Sequence, residues 1–403
     1  MQQIGRVVQR SCADGSPATL TVLTSTGIIT CAAGDIADDV DVGDLVGGPP
    51  WKRLARPSGN AAMVTGDSVR WLLPQACGKS RLTLLKQRQK MALAIRQWFF
   101  DQDFLEVPAP VLVCGTCPDM AIDSIDVGNR YLTTSTEYQL KRMMVGGCPR
   151  IVSFGPNFRK GEISPVHNPE FTMIEWARVG EPIEKIEEDA REILLTAART
   201  LGSDSAVVQM GNHIIDLAGP WQRLTVRDAW SRYLGVDVSE KFDHEEINQA
   251  VMKSPTLLVP ESFVAELGDL VSYLVDAIQP HLGKTCPTVL TDWPQIMTSS
   301  TVQSSENNTI AVRSEIFVGG IELADGFPFL IEPQKQRQGF EGQQQSRNLS
   351  GKPIVQIDEQ YLLALEHGLP DGAGMAMGFD RLVMLLLGQG NIRQVLPFAW
   401  DEL

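Results

Sequence analysis

Near Lys79 the spacing of apolar residues changes, and this change constrains the chain more than any single motif. Before it, apolar and β-branched residues alternate in ATLTVLTSTGIITCAA around a Ser-Thr-Gly turn signal. VDVGDLVGG and AAMVTGDSVRWLLP follow as further short strand-like runs between Gly and Pro. Residues 1–76 therefore read as a small β-barrel of the OB type, with a small β-domain of another topology as the alternative. After Lys79, LTLLKQRQKMALAIRQWFFDQD carries apolar residues at helical spacing over several turns. Helical patterns recur at 181–202 and 226–278, so residues 77–403 read as a larger domain with a helix-rich insertion over about 181–285. Strand signals lie at FLEVPAPVLV, interrupted by Pro108 and Pro110, and at TVLTDWP, TIAVRSEIFVGGIELADGF and GAGMAMGFD. Strands and helices mix without strict alternation, which favours an α+β domain on an antiparallel sheet over a doubly wound one.

Charge and composition exclude several function classes. With 35 Lys and Arg against 49 Asp and Glu, the net charge is −14, a poor match to sequence-independent nucleic-acid binding. No stretch approaches the roughly 20 uninterrupted apolar residues of a membrane span, and MQQIGRVVQRSCADG lacks a signal-peptide core. The seven Cys are odd in number and scattered, unlike a disulfide framework, so a cytoplasmic protein is expected. Cys114-Gly-Thr-Cys117 has no second pair or nearby His, and a structural role is the better reading. The Gln-rich stretch QKQRQGFEGQQQSRN reads as a solvated helix.

Three segments are dense in polar groups within strand-like sequence. In 154–176, Arg159, Lys160, Glu162, His167, Asn168, Glu170 and Glu175 crowd a Gly- and Pro-rich turn flanked by Phe. Such a set offers cations for phosphate and a ring for a base, though a solvated hairpin loop would look similar. In 313–330, Glu315 and Glu322 stand seven apart across a Gly pair. Brought together, two carboxylates hold Mg²⁺ while phosphates complete its shell; apart, they are ordinary surface acids. In 372–388, a Gly-rich strand ends in Asp380-Arg381 at the mouth of an apolar helix, which buries Arg381 unless an anion meets it.

Together these segments describe an ATP site on an antiparallel sheet, and a family resemblance rests on them. FLEVPAPVL, NFRKGEISPVHNPEFTMIEW and GMAMGFDRLVML resemble motifs 1, 2 and 3 of class II aminoacyl-tRNA synthetases of the lysyl subgroup. TSTEYQLKRMMVGGCPRIVSFGPNFR and GLPDGAGMAMGFDRL are similar to the elongation factor P ligases of that subgroup almost phrase by phrase. The resemblance implies a class II antiparallel sheet flanked by helices, an AMP-forming ligase using ATP and Mg²⁺, and a homodimer built on motif 1 and the helix after Lys79. It implies that Arg159 and Arg381 act in catalysis, with Arg159 on the α-phosphate and Phe171 stacked on adenine. Lys160, His167, Asn168, Leu323 and Gly378 would complete the ATP site, and Glu315 and Glu322 would hold the metal. Ser135, Thr136, Glu137 and Glu175 would receive the amino-acid substrate, Glu137 taking its α-amino group.

Three positions around the substrate side chain depart from the family. Tyr after motif 2 is replaced by Ala177, and Asn-Gly-Phe-x-Glu-Leu becomes Asp325-Gly326-Phe327-Pro328-Phe329-Leu330. A substrate ε-ammonium loses its hydroxyl and its carboxylate, and burying it against Phe329 without a partner is strongly unfavourable. The expected substrate is lysine, β-lysine or a changed amino acid, either less polar or with its amine nearer Asp325. In motif 2 the usual Arg-x-Glu appears as Arg159-Lys160-Gly161-Glu162, so the Glu has moved one place. The N-terminal piece has Trp51 and Trp71 but no Phe or Tyr, and an acidic loop, DIADDVDVGD. RNA readers need stacking aromatics and a basic groove, so a protein acceptor such as a lysine of elongation factor P is favoured over tRNA. A catalytically silent paralogue that senses an amino acid is the remaining alternative.

Overall fold

The computed structural model describes residues 3–11, 19–32, 40–42, 44–55, 69–73, 75, 78–202, 206–257 and 266–403. They form two compact units, one of residues 1–90 with 391–403 and one of residues 91–390.

In the first unit, strands β1 (Gln3–Ser11), β2 (Thr19–Thr24), β3 (Gly27–Ala32), β4 (Leu45–Gly48) and β5 (Lys52–Ala55) form an antiparallel sheet in the order β3-β2-β1-β4-β5. Alternation in β2 puts Leu20 and Val22 into a core with Val7, Val46 and Trp51. The β2–β3 hairpin turns at the Ser-Thr-Gly signal, with Gly27 at φ 133°. The strand expected over AAMVTGDSVRWLLP lies largely outside the described residues, and its described part at 69–73 is a turn. The C-terminal tail is tied to Arg81, which is 4% exposed and donates to both oxygens of Glu402 and to the carbonyls of Leu396 and Arg393.

The second unit is built on an eight-stranded sheet. Its strands are β6 (Leu105–Glu106), β7 (Arg150–Phe158), β8 (Glu170–Val179), β9 (Gln222–Thr225), β10 (Thr288–Thr291), β11 (Ser314–Val318), β12 (Ile321–Pro328) and β13 (Gly372–Gly378). The order is β9-β10-β11-β12-β13-β8-β7-β6, antiparallel except for the outermost pair at each edge. β8 is buried continuously from Met173 to Arg178, as a central strand covered on both faces must be. Motif 1 contributes only two dipeptide strands, Leu105–Glu106 and Leu112–Val113, because Pro108 and Pro110 between them carry no N–H for a ladder.

Helices α1 (Arg81–Asp101) and α3 (Ile183–Arg199) follow the helical periods of the sequence, while α2 (Glu137–Val145) lies outside them. The insertion holds α4 (Val226–Leu234), α5 (His244–Lys253) and α6 (Leu267–Ile278), packed around Trp230, Leu270 and Leu274. The side chains of Thr225 and Asp243 cap α4 and α5. The Gln-rich stretch is helical, α7 (Pro333–Leu349), yet one side of it is sequestered. Arg347 is 1% exposed and donates to the carbonyls of Asp119, Ile122 and Pro353 and to the Asp123 carboxylate. α8 (Glu359–Glu366) and α9 (Phe379–Leu386) close the core. Among the described residues no helix is long and apolar enough to cross a membrane.

Candidate active site

The three polar segments become neighbouring strands, because β8 and β12 flank β13. The loop from Arg159 to Pro169 leaves β7 and returns as β8 with Gly161 at φ 77°, a left-handed conformation that glycine adopts without a Cβ clash. Glu162 then lies 3.7 Å from Arg159 Nη1 and 3.9 Å from His167 Nε2.

Arg381 sits in the first turn of α9 and is held from three sides. Nη1 donates to the Glu322 carbonyl at 2.8 Å and to its carboxylate at 3.3 Å, and Nε donates to the Val166 carbonyl at 3.3 Å. Nη2 lies 2.6 Å from His167 Nε2, and Ser164 Oγ lies 2.7 Å from Nδ1. A guanidinium only donates, so Nε2 accepts and the ring proton sits on Nδ1, pointing at Ser164. Burial and the Arg381 charge hold His167 below the usual imidazole range. The carboxylate of Asp380 accepts from the Thr172 N–H at 2.7 Å.

Arg159 presents a different face. Its guanidinium stands 5.3 Å from the Phe171 ring centroid, and its buried Nε has no hydrogen-bond partner. A buried cationic donor left unmade is costly, and a phosphate oxygen beside Phe171 would satisfy it. The Asn168 amide donates to the Glu170 carbonyl, Lys160 is exposed, and Leu323 is buried in the core. At Gly378, which precedes α9, a Cβ would approach the Arg381 stem to 3.4 Å.

Glu315 and Glu322 meet the charges of a small network. Arg313 contacts Glu315 at 2.7 Å and grips Asp325 with two bonds of 2.8 and 3.1 Å. Burial, reinforced by Glu322 and Asp325, pushes the Glu315 carboxyl well above its ordinary value, against the pull of Arg313. Burial acts on Glu322 too, but Arg381 and Arg159 outweigh it and hold that carboxyl low. Glu322 thus raises the proton affinity of Glu315, an effect that a cation bound beside them would relieve. Among the described residues no cluster of three or more acidic, His or Cys side chains offers an all-protein metal cage.

The surroundings of Glu175 are built differently. Glu175 on β8 is 5% exposed and accepts from Ser135 Oγ and from both the N–H and the hydroxyl of Thr136. Burial still raises its carboxyl above the ordinary value, which those hydrogen bonds only moderate. Two residues further along β8, Ala177 is 5% exposed and packs in a core cluster with Phe329, itself 2% exposed. Glycines of β13 make this room, since a Cβ at Gly372 would meet the Phe329 ring at 2.9 Å and one at Gly374 would meet it at 3.4 Å. At the start of α2, Glu137 accepts from Lys141 at 2.6 Å. Lys141 is 2% exposed, with its ammonium 5.0 Å from the Phe329 ring centroid and 5.5 Å from that of Phe327.

Lys141 and Arg313 were not singled out from sequence, though both carried a signal. Lys141 follows Glu137 at i+4, and Arg313 stands two residues before Glu315 on the same strand run. Cys117 is partly buried and its thiol is pushed up to about 12 by desolvation, with Asp119 adding to it, while Cys114 is exposed. That places Cys117 among packed core side chains, protonated at neutral pH.

The sequence matches the family described as tRNA synthetases class II (D, K and N) over residues 75–402. It is 33% identical over 327 residues to a lysine–tRNA ligase of Prochlorococcus marinus, covering 78% of this chain and 62% of that protein. A lysine–tRNA ligase of Moorella thermoacetica is 32% identical, covering 77% of this chain and 64% of that protein. An elongation factor P–(R)-β-lysine ligase of Salmonella gallinarum is 32% identical over 329 residues, covering 79% of this chain and 95% of that protein. This chain therefore spans less than two thirds of the length of those tRNA ligases.

Proposed function

This chain belongs to the class II tRNA synthetases of the Asp, Lys and Asn group, and we propose that it is an ATP-dependent ligase that activates an amino acid and passes it to a protein amine. In the first step the amino-acid carboxylate attacks the α-phosphorus of ATP, an acyl–phosphate bond forms, and pyrophosphate leaves. The single observation that carries this reading is the buried, partnerless Nε of Arg159 beside Phe171. There Arg159 binds the α-phosphate and offsets the charge that develops on it, while the ring takes the adenine. Arg381 is released from Glu322 and His167 when nucleotide arrives and takes its polyphosphate or the second face of the base. Glu315 and Glu322 would hold Mg²⁺, which neutralises phosphate charge when bound. Ser135, Thr136 and Glu175 form the floor under the substrate, and Glu137 receives its α-amino group.

In the second step an acceptor nucleophile attacks the acyl carbon and AMP leaves. A lysine ε-amine of an elongation factor P-like protein is favoured by the near-complete coverage of the Salmonella ligase. The first unit supports this choice. Trp51 is 3% exposed within its core, and Trp71 packs edge-on against Phe398 and donates to the Pro397 carbonyl, so neither is free to stack on an RNA base. Residues 1–76 then serve as a docking or dimer-supporting domain. Leu93, Phe100, Leu105 and Leu112, each at least half exposed, give the catalytic unit an apolar face for a second copy.

The test is transfer. The enzyme is incubated with ATP, a labelled amino acid that supports pyrophosphate exchange, and either elongation factor P or total tRNA. Label on the protein is the expected outcome. Label on tRNA alone would replace the acceptor, and the absence of exchange with every amino acid would remove the ligase reading.

A further inference from the structure

The sequence left lysine or β-lysine open beside two changed classes, an amino acid with a less polar side chain and one whose amine reaches Asp325. We propose that the side chain is uncharged, and that Lys141 excludes cationic ones; this rests on the ligase reading above. Three observations converge. Asp325 is held in a two-point contact by Arg313, so it offers no free carboxylate to an incoming amine. Phe329 is packed with Ala177 in an apolar cluster, so the two positions that depart from the family present a ring and a methyl group instead of an acid and a hydroxyl. The ammonium of Lys141 lies over the rings of Phe327 and Phe329 and takes one oxygen of Glu137. The protein thus places its own amine against this wall. A lysine-like substrate would set a second ammonium beside it, with no partner in reach and like charge nearby. An acidic side chain finds both nearby cations already engaged, Arg313 with Glu315 and Asp325 and Lys141 with Glu137. Glu137 has a second oxygen and is 23% exposed, which leaves it able to receive the α-ammonium. What such a wall accepts is a small uncharged side chain.

The experiment is ATP–pyrophosphate exchange by the full chain against alanine, serine, threonine, valine, methionine, aspartate, lysine, ornithine, arginine and (R)-β-lysine. Exchange with one or more uncharged amino acids, and none with the cationic ones or aspartate, is expected. Exchange with lysine or (R)-β-lysine would overturn this inference and leave the ligase reading standing, whereas silence across the panel would bring down both. The Lys141→Met variant then isolates the residue. Its fold is reported by an unchanged far-UV circular dichroism spectrum, and its ratio of lysine-dependent to uncharged-substrate exchange rises by at least about tenfold with KM for ATP unmoved. Retained exchange without that rise would overturn the role given to Lys141.

Discussion

The two ends of the candidate site solve opposite problems. At the nucleotide end, charged groups remain poised for a partner: Arg159 keeps a buried donor unmade, and Arg381 is held by contacts an arriving phosphate can replace. At the amino-acid end every charge is already answered from within the protein. Arg313 binds Asp325, Lys141 binds Glu137, and Ser135 with Thr136 binds Glu175. The contrast teaches where specificity lies. Phosphate chemistry demands cations whatever the amino acid, while a side-chain pocket is tuned by what the protein fills in for itself.

The largest effect expected from breaking this contrast is on stability at the packed end. Phe329→Ala removes a fully buried ring from the wall and should cost about 3–5 kcal/mol in thermal or denaturant unfolding. An unchanged transition would mean that Phe329 lines open space and that the amino-acid end is as unfilled as the nucleotide end. Next comes Arg159→Ala, which should lower pyrophosphate exchange by about 10²–10³-fold while leaving the unfolding transition in place. If exchange survives, the poised guanidinium is not part of the chemistry.

The smallest effect sharpens the nucleotide end. His167 faces Arg381, Arg159, Glu162 and Glu322, and its pKa is lowered in the fold from an ordinary value of 6.5. The unfolded chain therefore takes up this proton first as pH falls. Stability is complete above pH 6.5 and declines below it until the lowered folded-state pKa is passed. His167→Gln should flatten that part of the stability–pH curve, and an identical curve would detach His167 from Arg381.

Much of this was legible because the chemistry is local in sequence. Arg159, His167 and Phe171 share one hairpin, and the Gly-rich strand runs directly into Arg381. The hairpin β2–β3 and the helices of the insertion followed their periods for the same reason. Motif 1 read as a longer strand than it is, since Leu105 to Val113 has strand composition but two prolines that deny it a ladder. Arg347 in the Gln-rich helix read as solvated, because the carbonyls that receive it lie more than 200 residues away, at Asp119 and Ile122.

By itself, the sequence determined the family, the order of the sheet's motifs and the cationic phosphate end. These depend on residue types at short spacing. It also marked Ala177, Asp325 and Phe329 as departures. Tertiary structure alone decided what those departures mean. Whether Asp325 is free depends on Arg313 twelve residues away on the paired strand, and what faces Phe329 depends on Lys141, a helix on the far side of the chain. An ion pair or a filled pocket is a property of distances, and distances between remote residues exist only once the sheet has brought them together.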